Sequence, residues 1–379
     1  MSRRRGNNEG TIFQDKDGVW WAQLPPDEQG RRPKRRAKTQ REARKKLREL
    51  ERERAQGVNL TNKQPTVEQF ATTWLEEVVR RSVKASTHDS YRFIVTKYVI
   101  PRIGSLRIDK LTTPRVQKLI NDLADEDYSP STVRNVYVRL SALLDVAVSY
   151  RLVTYNVAKG VVLPKLGRAP MRGLTVEEAR RLLAAIGNAR NATAFRLLLG
   201  LGLRRGEVLG LRWEDLDWEA KTITVTQQVQ RVGSKVVIST PKTEGSGRTL
   251  PLTAKMLALL EARREAQQAE REKLADAWQE YGLIFASESG TPTSPRNFFR
   301  TFMAARLKAK LPGVRLHDLR HTFATLLGDL GVAEGVIGAL LGHVPSNVTQ
   351  HYARATLPAM RAAVEQLEKH YEAALPGEK

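Results

Sequence analysis

The chain has 379 residues, 41% of them hydrophobic, and its 63 Lys and Arg against 41 Asp and Glu give a formal net charge of +22. This composition indicates a folded chain long enough for two or three domains, and the lack of cysteine excludes thiol catalysis, thiolate metal sites and disulfides. The charge indicates a polyanionic partner, either nucleic acid or an acidic membrane surface. A membrane span is disfavoured because the most apolar run, residues 194–203, is short and contains Arg196. No apolar signal segment is found at the N-terminus, so we expect a cytoplasmic protein.

Residues 1–57 predict a small module of three strands and one helix. The segment GTIFQDKDGVWWAQLP contains two short strands around an Asp-Gly turn, and GRRPKRRAK supplies a third strand. The run TQREARKKLRELERERA predicts a helix that is opened by a capping box of Thr39 and Glu42.

The basic residues of this module are concentrated between residues 31 and 48, where 11 Lys and Arg stand against one acidic residue. A solvated charged face is the ordinary explanation of such a run, but this excess favours contact with the phosphates or a groove of nucleic acid. The residues predicted to make such contacts are Arg31, Arg32, Lys34, Arg35, Arg36 and Lys38.

Residues 65–162 predict a second domain, which is wholly helical. In its clearest helix, SPSTVRNVYVRLSALLDVAVSYRLV, apolar residues recur at helical spacing and form one buried stripe opposite Arg134 and Arg139. A linker follows at residues 163–173, where Pro, Gly, Lys165 and Arg168 occur without periodicity, which is typical of an extended segment along an anionic surface. The buried stripe of the helix described above consists of Val133, Val136, Tyr137, Leu140, Leu143, Leu144, Ala147 and Val148.

Residues 174–379 predict a third domain, mainly helical with one small antiparallel sheet. It opens with the helix start LTVEEARRLL, which is capped by Thr175 and Glu178. A strand pair is predicted in KTITVTQQVQ and KVVISTP, with a turn at KTEGSG. Besides a helical run through GLGLRRGEVLGL, helices are predicted at 253–280, 295–310, 317–330, 333–341 and 357–375.

Side chains suited to act on a phosphodiester occur at four places of the third domain. They lie in GLRRGE, in TPKTEGSGRTLPL, in HDLRH and in LGHVPSNVTQHYAR. Taken singly, each is an ordinary surface or loop residue, and Lys235 and Lys255 compete with the lysine of the second segment. Taken together, the six candidates are Arg204, Lys242, His317, Arg320, His343 and Tyr352.

No metal site and no cofactor are expected. His317 and His321 are spaced for one helical face, but the acid that would complete an HExxH motif is missing, so His321 is predicted to pack within the helix. The acidic run WEDLDWE, residues 213–219, is predicted to form turns and caps.

The six candidates resemble the active site of the tyrosine recombinase (phage integrase) family. In that family Arg, Lys, His-x-x-Arg, His and a nucleophilic Tyr follow in this chain order, and all six positions match here. The resemblance implies that residues 65–162 form a core-site DNA-binding domain and residues 174–379 a catalytic domain. Residues 1–57 further resemble the arm-site DNA-binding domain of integrases of the bacteriophage lambda type.

The chemistry of these residue types agrees with the resemblance. Phosphoryl transfer to a tyrosine places extra negative charge on the non-bridging oxygens, and two guanidiniums suit those oxygens well. The product is a 3′-phosphotyrosyl bond, which a 5′ hydroxyl can attack without ATP or metal. The expected roles are charge stabilisation by Arg204 and Arg320, nucleophilic attack by Tyr352, proton acceptance by His317, phosphate contact by His343 and protonation of the leaving 5′ oxygen by Lys242.

The resemblance implies a site-specific recombinase that integrates or excises a phage or mobile element in a bacterial host cell. Its partners would be double-stranded DNA with core and arm sites and three further copies in a homotetramer, with a host bending protein and an excision factor as candidates. Alternatives are a Xer-type chromosome resolvase, a type IB topoisomerase acting as a monomer and a DNA-binding protein without catalysis. The segment after Tyr352, residues 357–376, is predicted to pack on a neighbouring subunit through an apolar stripe of Met360, Ala363, Val364, Leu367, Tyr371 and Ala374. Its outer face carries Arg361, Glu365, Glu368 and Lys369.

Overall fold

The computed structural model describes residues 10–27, 30–57, 60, 64–165, 173–240, 247–342 and 355–373. The chain separates into two compact units, Met1–Arg168 and Ala169–Lys379. Within the described ranges, none of the helices combines the length and apolarity needed to cross a bilayer. The division into three domains stays a prediction.

The first unit begins with an antiparallel sheet of three strands and a helix packed on one face of it. Asp15 shapes the first turn, because its carboxylate accepts hydrogen bonds from the backbone N–H of Val19 at 2.8 Å and from Trp21 Nε1 at 2.7 Å. Ala22 of the sheet and Leu50 of the helix are buried where the two pack together. The elements are β1 (Thr11–Gln14), β2 (Trp20–Gln23), β3 (Lys34–Ala37) and α1 (Gln40–Ala55), as the sequence predicted.

The predicted capping box of α1 forms only in its first half. Thr39 Oγ accepts from the backbone N–H of Glu42 at 3.2 Å. The Glu42 carboxylate, however, accepts from the backbone N–H of Lys38 at 2.7 Å, one residue before the cap. The side chain therefore satisfies a different donor from the one predicted.

The rest of the first unit is helical, as predicted. The long helix begins after Ser129, whose side chain caps it by accepting from the N–H of Thr132, and six positions of the predicted stripe are fully buried. Tyr137 and Val148 are half-buried at its edges. Two π-helical segments, Trp74–Val79 and Val95–Val99, interrupt the helices and were not predicted. The α-helices are α2 (Val67–Thr73), α3 (Arg80–Ser82), α4 (Ala85–Ile94), α5 (Ile100–Ile103), α6 (Thr113–Asp125) and α7 (Pro130–Ser149).

The second unit is mainly helical, and its first helix has a complete capping box of Thr175 and Glu178, as predicted. The run through GLGLRRGEVLGL is broken into two helices at Gly202, which adopts a left-handed conformation with φ 62°. The helices are α8 (Val176–Ile186), α9 (Ala192–Leu201), α10 (Arg205–Gly210), α11 (Ala254–Leu274), α12 (Pro295–Lys308), α13 (Asp318–Asp329), α14 (Glu334–Leu341) and α15 (Leu357–Ala373).

The strands of this unit differ from the single predicted pair. Among the described residues they form one three-stranded antiparallel sheet, β4–β5–β8, and a separate hairpin, β6–β7. The predicted turn at KTEGSG lies mostly outside the described residues, and the hairpin turns instead at Gly233. The strands are β4 (Leu216–Asp217), β5 (Thr222–Val225), β6 (Gln228–Val232), β7 (Lys235–Ser239) and β8 (Arg248–Pro251).

Helix α15 packs on its own unit in the single chain. Ala363, Val364 and Leu367 of the predicted stripe are buried there. Two residues assigned to the outer face also bond inward, because Glu368 accepts from Thr253 Oγ at 2.7 Å and Arg361 donates to the Leu252 carbonyl at 3.1 Å. Packing on a neighbouring subunit stays a prediction.

Candidate active site

The turn between α9 and α10 places Arg204 at the start of a short helix. Gly202 is required there, because a Cβ atom would lie 2.4 Å from Phe323 Cδ1 and because its positive φ disfavours other residues. Arg204 is tied to Glu207 twice, through its backbone N–H at 2.9 Å and through Nη1 at 2.6 Å. The side chain of Arg204 is still partly exposed, so it can meet a ligand.

Glu207 is the centre of the charged cluster, although only 2% of it is exposed. Its carboxylate also accepts from Arg248 Nη2 at 2.9 Å and lies 4.0 Å from Arg320 Nη1. Burial acts to raise the pKa of Glu207, but the charge and hydrogen bonds of Arg248 and Arg204 outweigh it and lower that pKa. Glu207 is therefore an ionised carboxylate that three guanidiniums surround.

Arg320 lies on α13, is 5% exposed and bridges two other segments. Its Nη1 donates to the Gly202 carbonyl at 2.7 Å and its Nη2 to the Leu341 carbonyl at 2.6 Å. Burial and the nearby charge of Arg204 lower the pKa of Arg320 to about 9. A guanidinium has five N–H donors, so these two bonds leave donors for an anion.

His317 lies at the N-terminal end of α13, one turn before Arg320, and is exposed. Desolvation of the ring and the positive charges of Arg320 and Arg204 lower its pKa. A lowered pKa keeps the imidazole neutral at pH 7, and the neutral ring can accept a proton. The structure thus brings together Arg204, His317 and Arg320.

The other three predicted site residues, Lys242, His343 and Tyr352, lie outside the described residues. Of the competing lysines, Lys235 is exposed on β7, and Lys255 Nζ pairs with Glu372 of α15 at 3.1 Å.

Arg248 belongs to the described site but was not predicted. It stands alone in the segment SGRTLPL, and the short strand β8 gave no periodic signal that would mark its side chain as buried. The one indication in the sequence was its position within the segment TPKTEGSGRTLPL, six residues after Lys242. Glu207 holds the start of α10 by accepting from the backbone N–H of Arg204, and its carboxylate is also the shared partner of the three guanidiniums.

The basic residues of the first module do not all face solvent. Arg35, predicted to bind nucleic acid, is instead bound at both terminal nitrogens to Glu53 of α1, at 3.1 and 2.6 Å. Strand alternation explains this, since Arg35 pairs with buried Ala22 on the helix side of the sheet. Lys34 and Arg36 lie on the other face, with Lys34 Nζ 4.9 Å from the Trp21 ring centroid. Arg31, Arg32, Lys34, Arg36 and Lys38 are exposed.

Of the basic residues predicted on α7, Arg134 is exposed, whereas Arg139 is half-buried with its guanidinium 4.6 Å from the Tyr91 ring centroid. Arg139 thus contacts an aromatic ring rather than projecting freely. Lys165 is exposed, and Arg168 lies outside the described residues.

The acidic run at residues 213–219 forms turns and ion pairs, in agreement with its predicted role. Asp217 accepts from the Ala220 N–H at 2.8 Å, and Asp215 pairs with Arg212 Nε at 2.7 Å. Within the described parts of the chain, no group of three acidic or histidine side chains is arranged to hold a metal ion.

The described site combines three guanidiniums, one carboxylate and one neutral imidazole. Its charges leave a positive excess, and guanidinium forks match the paired oxygens of a phosphate group. With an imidazole beside them, these groups are suited to a protein that acts on a phosphate-like anion.

Comparison with known proteins identifies the class more closely. The model of the phage integrase family matches residues 172–357, and that of the phage integrase N-terminal SAM-like domain matches residues 66–124. An integrase from Streptomyces ambofaciens is 30% identical over 380 residues, which cover 93% of this chain and 94% of that protein. A XerC-like tyrosine recombinase from Caldanaerobacter subterraneus subsp. tengcongensis is 28% identical over 350 residues, covering 87% and 90%.

Solved structures share the fold. The Tn1549 transposon integrase in complex with a circular intermediate DNA aligns with a TM-score of 0.62 at 23% identity, covering 80% of this chain and 99% of that chain. A lambda integrase tetramer bound to a Holliday junction gives 0.56 at 17% identity, covering 91% and 98%. The chain therefore belongs to the phage integrase family and is a site-specific tyrosine recombinase. The resemblance and the mainly helical multidomain fold predicted from the sequence are confirmed.

Proposed function

We propose that this recombinase cuts and rejoins two DNA sites through a 3′-phosphotyrosyl bond to Tyr352, and so integrates or excises a phage or other mobile element in the cytoplasm of a bacterial cell. The observation that supports this most is the convergence of Arg204 and Arg320 on the buried carboxylate of Glu207, with His317 close enough to both guanidiniums for their charge to lower its pKa.

Each step of cleavage has a group in this chain that suits it. The Tyr352 oxygen attacks phosphorus and forms the new P–O bond, while the bond to the 5′ oxygen breaks. His317 accepts the phenolic proton, and Lys242 donates a proton to the departing 5′ oxygen. Arg204 and Arg320, with His343, stabilise the charge on the non-bridging oxygens, and the loss of one such donor costs about 10²- to 10³-fold in rate.

Rejoining follows the same path in reverse. A 5′ hydroxyl from the second site attacks the phosphotyrosyl phosphorus and releases the Tyr352 oxygen, which takes a proton back. The number and type of bonds are conserved, so neither ATP nor a metal ion enters the balance of the reaction.

The net charge of +22 indicates a polyanionic partner, and we propose that this partner is DNA. We propose that the exposed basic residues of the first module contact arm sites and that Arg134, Lys165 and Arg168 contact the core site. Lambda integrase, which shares the fold, has been solved as a tetramer on a Holliday junction, and this supports a homotetramer for the present chain. A host bending protein and an excision factor are the proposed accessory partners.

The test is Tyr352→Phe, which removes only the nucleophilic oxygen. On a core-site duplex nicked next to the cleavage position, the wild-type protein should form a covalent adduct, visible on a denaturing gel, and a chelator should leave this unchanged. The variant should bind the duplex as tightly as wild type and form no adduct. An adduct with the Phe variant would show that another residue is the nucleophile.

A further inference from the structure

Arg248 is a buried arginine that links two distant segments of the catalytic unit. Its side chain is 7% exposed. Nη2 donates to Glu207 Oε2 on α10 at 2.9 Å, and Nε donates to the Leu340 carbonyl on α14 at 2.7 Å. Both of these donors point into the protein and hold other segments of the same unit.

The bond from Arg248 to Glu207 affects the position of Arg204. Glu207 orients Arg204 through both carboxylate oxygens, and Arg248 holds the oxygen that also accepts from the Arg204 backbone. Without Arg248, this buried carboxylate would lose its shortest side-chain partner at Oε2 and would be free to turn toward other donors. The direction of the Arg204 guanidinium therefore depends on Arg248.

The second bond bears on the end of α14. The last carbonyls of a helix have no partner within the helix, and cationic side chains favour that end. Here Arg248 takes the Leu340 carbonyl, and Arg320 takes the adjacent Leu341 carbonyl at 2.6 Å. Gly342 then turns the chain with φ 65°, and a Cβ atom there would lie 3.0 Å from Arg248 Cδ and Nη1. Arg248 and Arg320 together fix this end of α14.

We propose that Arg248 is a positioning residue for the cleavage reaction, which holds Glu207 and the end of α14 so that Arg204 and Arg320 point at the reacting phosphate. This inference rests on the proposed function of the site. It predicts that Arg248 contributes to stabilising the negative charge that develops on the phosphate, in addition to any contribution to folding of the unit.

The experiment compares Arg248→Ala and Arg248→Lys with wild type in single-turnover adduct formation on the nicked core-site duplex. We expect Arg248→Ala to be about 10²-fold slower, the size of effect seen when a charge-stabilising donor is lost. Arg248→Lys should be about 10-fold slower, because one ammonium cannot serve both partners as the fork does. DNA affinity, measured by fluorescence anisotropy, should stay within about twofold of wild type, because phosphate contacts elsewhere dominate affinity.

Arg263 provides a matched control in the same unit. Its side chain is 5% exposed, its Nε donates to the Ile284 carbonyl at 3.2 Å, and its Nη2 lies 3.5 Å from Glu270 Oε2. It therefore has the same kinds of partner as Arg248 without a contact to Glu207. Arg263→Lys should lower the melting temperature at least as much as Arg248→Lys and should leave the cleavage rate at the wild-type level.

A second substrate separates positioning from general loss of structure. A methylphosphonate at the cleavage position carries no negative charge, so a residue that acts through phosphate charge matters less there. The defect of the Arg248 variants should shrink at least about 10-fold on this substrate, in proportion to the donor effect. If Arg248→Ala does not fold, Arg248→Lys carries the same comparison.

Two results would overturn the inference. In the first, Arg248→Lys cleaves the normal substrate at the wild-type rate, as does Arg248→Ala if it folds. In the second, the Arg248 variants cleave the normal and the methylphosphonate substrates with equally large rate defects. An absence of adduct with wild-type protein would instead refute the proposed function, so the two failures are distinct.

Discussion

Adjacent arginines in β3 have different tasks, and the strand period of two separates them. Arg35 faces α1 and pairs with Glu53, whereas Arg36 is exposed on the opposite face of the sheet. From composition alone, both arginines are expected to contact nucleic acid. Only the register of the sheet distinguishes them, so a binding surface drawn from charge alone contains residues that hold the module together.

This pair gives a test of the proposed arm-binding face. Arg36→Ala should weaken binding to arm-site DNA and reduce the slope of log affinity against log salt by about 0.9, the value for one phosphate contact. Arg35→Ala should leave that slope unchanged and destabilise the module by about 1 kcal/mol, as expected for a partly exposed ion pair. Anisotropy titrations across salt concentrations and thermal denaturation provide the measurements. The same salt slope for Arg36→Ala and wild type would place the DNA elsewhere.

His317 predicts a pH dependence. Its pKa is lowered from 6.5, so the neutral, proton-accepting form persists to lower pH than for an ordinary histidine. The rate of adduct formation at subsaturating DNA, which reports on the free enzyme, should stay level from about pH 8 to 6.5 and fall only below that. His317→Gln should lower the plateau by about 10²-fold or more and remove this inflection. His321→Gln, one turn further along α13, is the control and should keep the profile; an inflection above pH 6.5 would argue against His317 as the base.

At this scale the sequence identified residues by their chemistry but not by their partners. Arg204, His317 and Arg320 were found because their types suit phosphoryl transfer and their order in the chain resembles that of the tyrosine recombinase family. Arg248 was missed because its importance comes from two hydrogen bonds, to Glu207 and Leu340, that join segments far apart in the chain.

Among the elements, the α9–α10 connection is tightly constrained at Gly202. Gly202 both adopts a positive φ and lies against Phe323 and Leu341, so its replacement by alanine combines two penalties. Gly202→Ala should destabilise the catalytic unit by about 2–5 kcal/mol, from a left-handed backbone and overpacking. Gly313 has φ 78° with nothing within 4 Å of a Cβ atom, so Gly313→Ala should cost only about 1–2 kcal/mol. Denaturation of both variants would test this, and equal losses would contradict the packing argument.

Helices were predicted more accurately than strands for a physical reason. Helix caps and stripes are local, as in Thr175 with Glu178 and in the buried face of α7. The segment KTITVTQQVQ instead splits into β5 and β6, and β6 packs against α10, where a Cβ atom on Gly210 would lie 2.8 Å from Gln228 Cα. This contact joins segments that are distant in the chain, so no local sequence pattern predicts the split into two strands.

The whole molecule carries two proposed DNA-binding regions on one chain. Deletion of residues 1–57 should leave cleavage of a simple core site unchanged and weaken assembly on a full attachment site. Linkage of two binding modules raises overall affinity by about 10²-fold or more when both can engage. Footprinting with and without the deletion is the measurement, and a single protected region that the deletion does not alter would remove the arm-site proposal.

The packing of α15 on its own unit has a consequence for the order of assembly. Ala363, Val364 and Leu367 are already buried in one chain, so in a free protomer this part of the stripe is not exposed to attract another protomer. If the helix is exchanged in the tetramer, it packs on a neighbour's surface that is identical to its own, and the net gain in free energy is close to zero. Association then takes its driving force from shared DNA. We therefore expect such a recombinase to be monomeric in the absence of DNA and to assemble on its DNA sites.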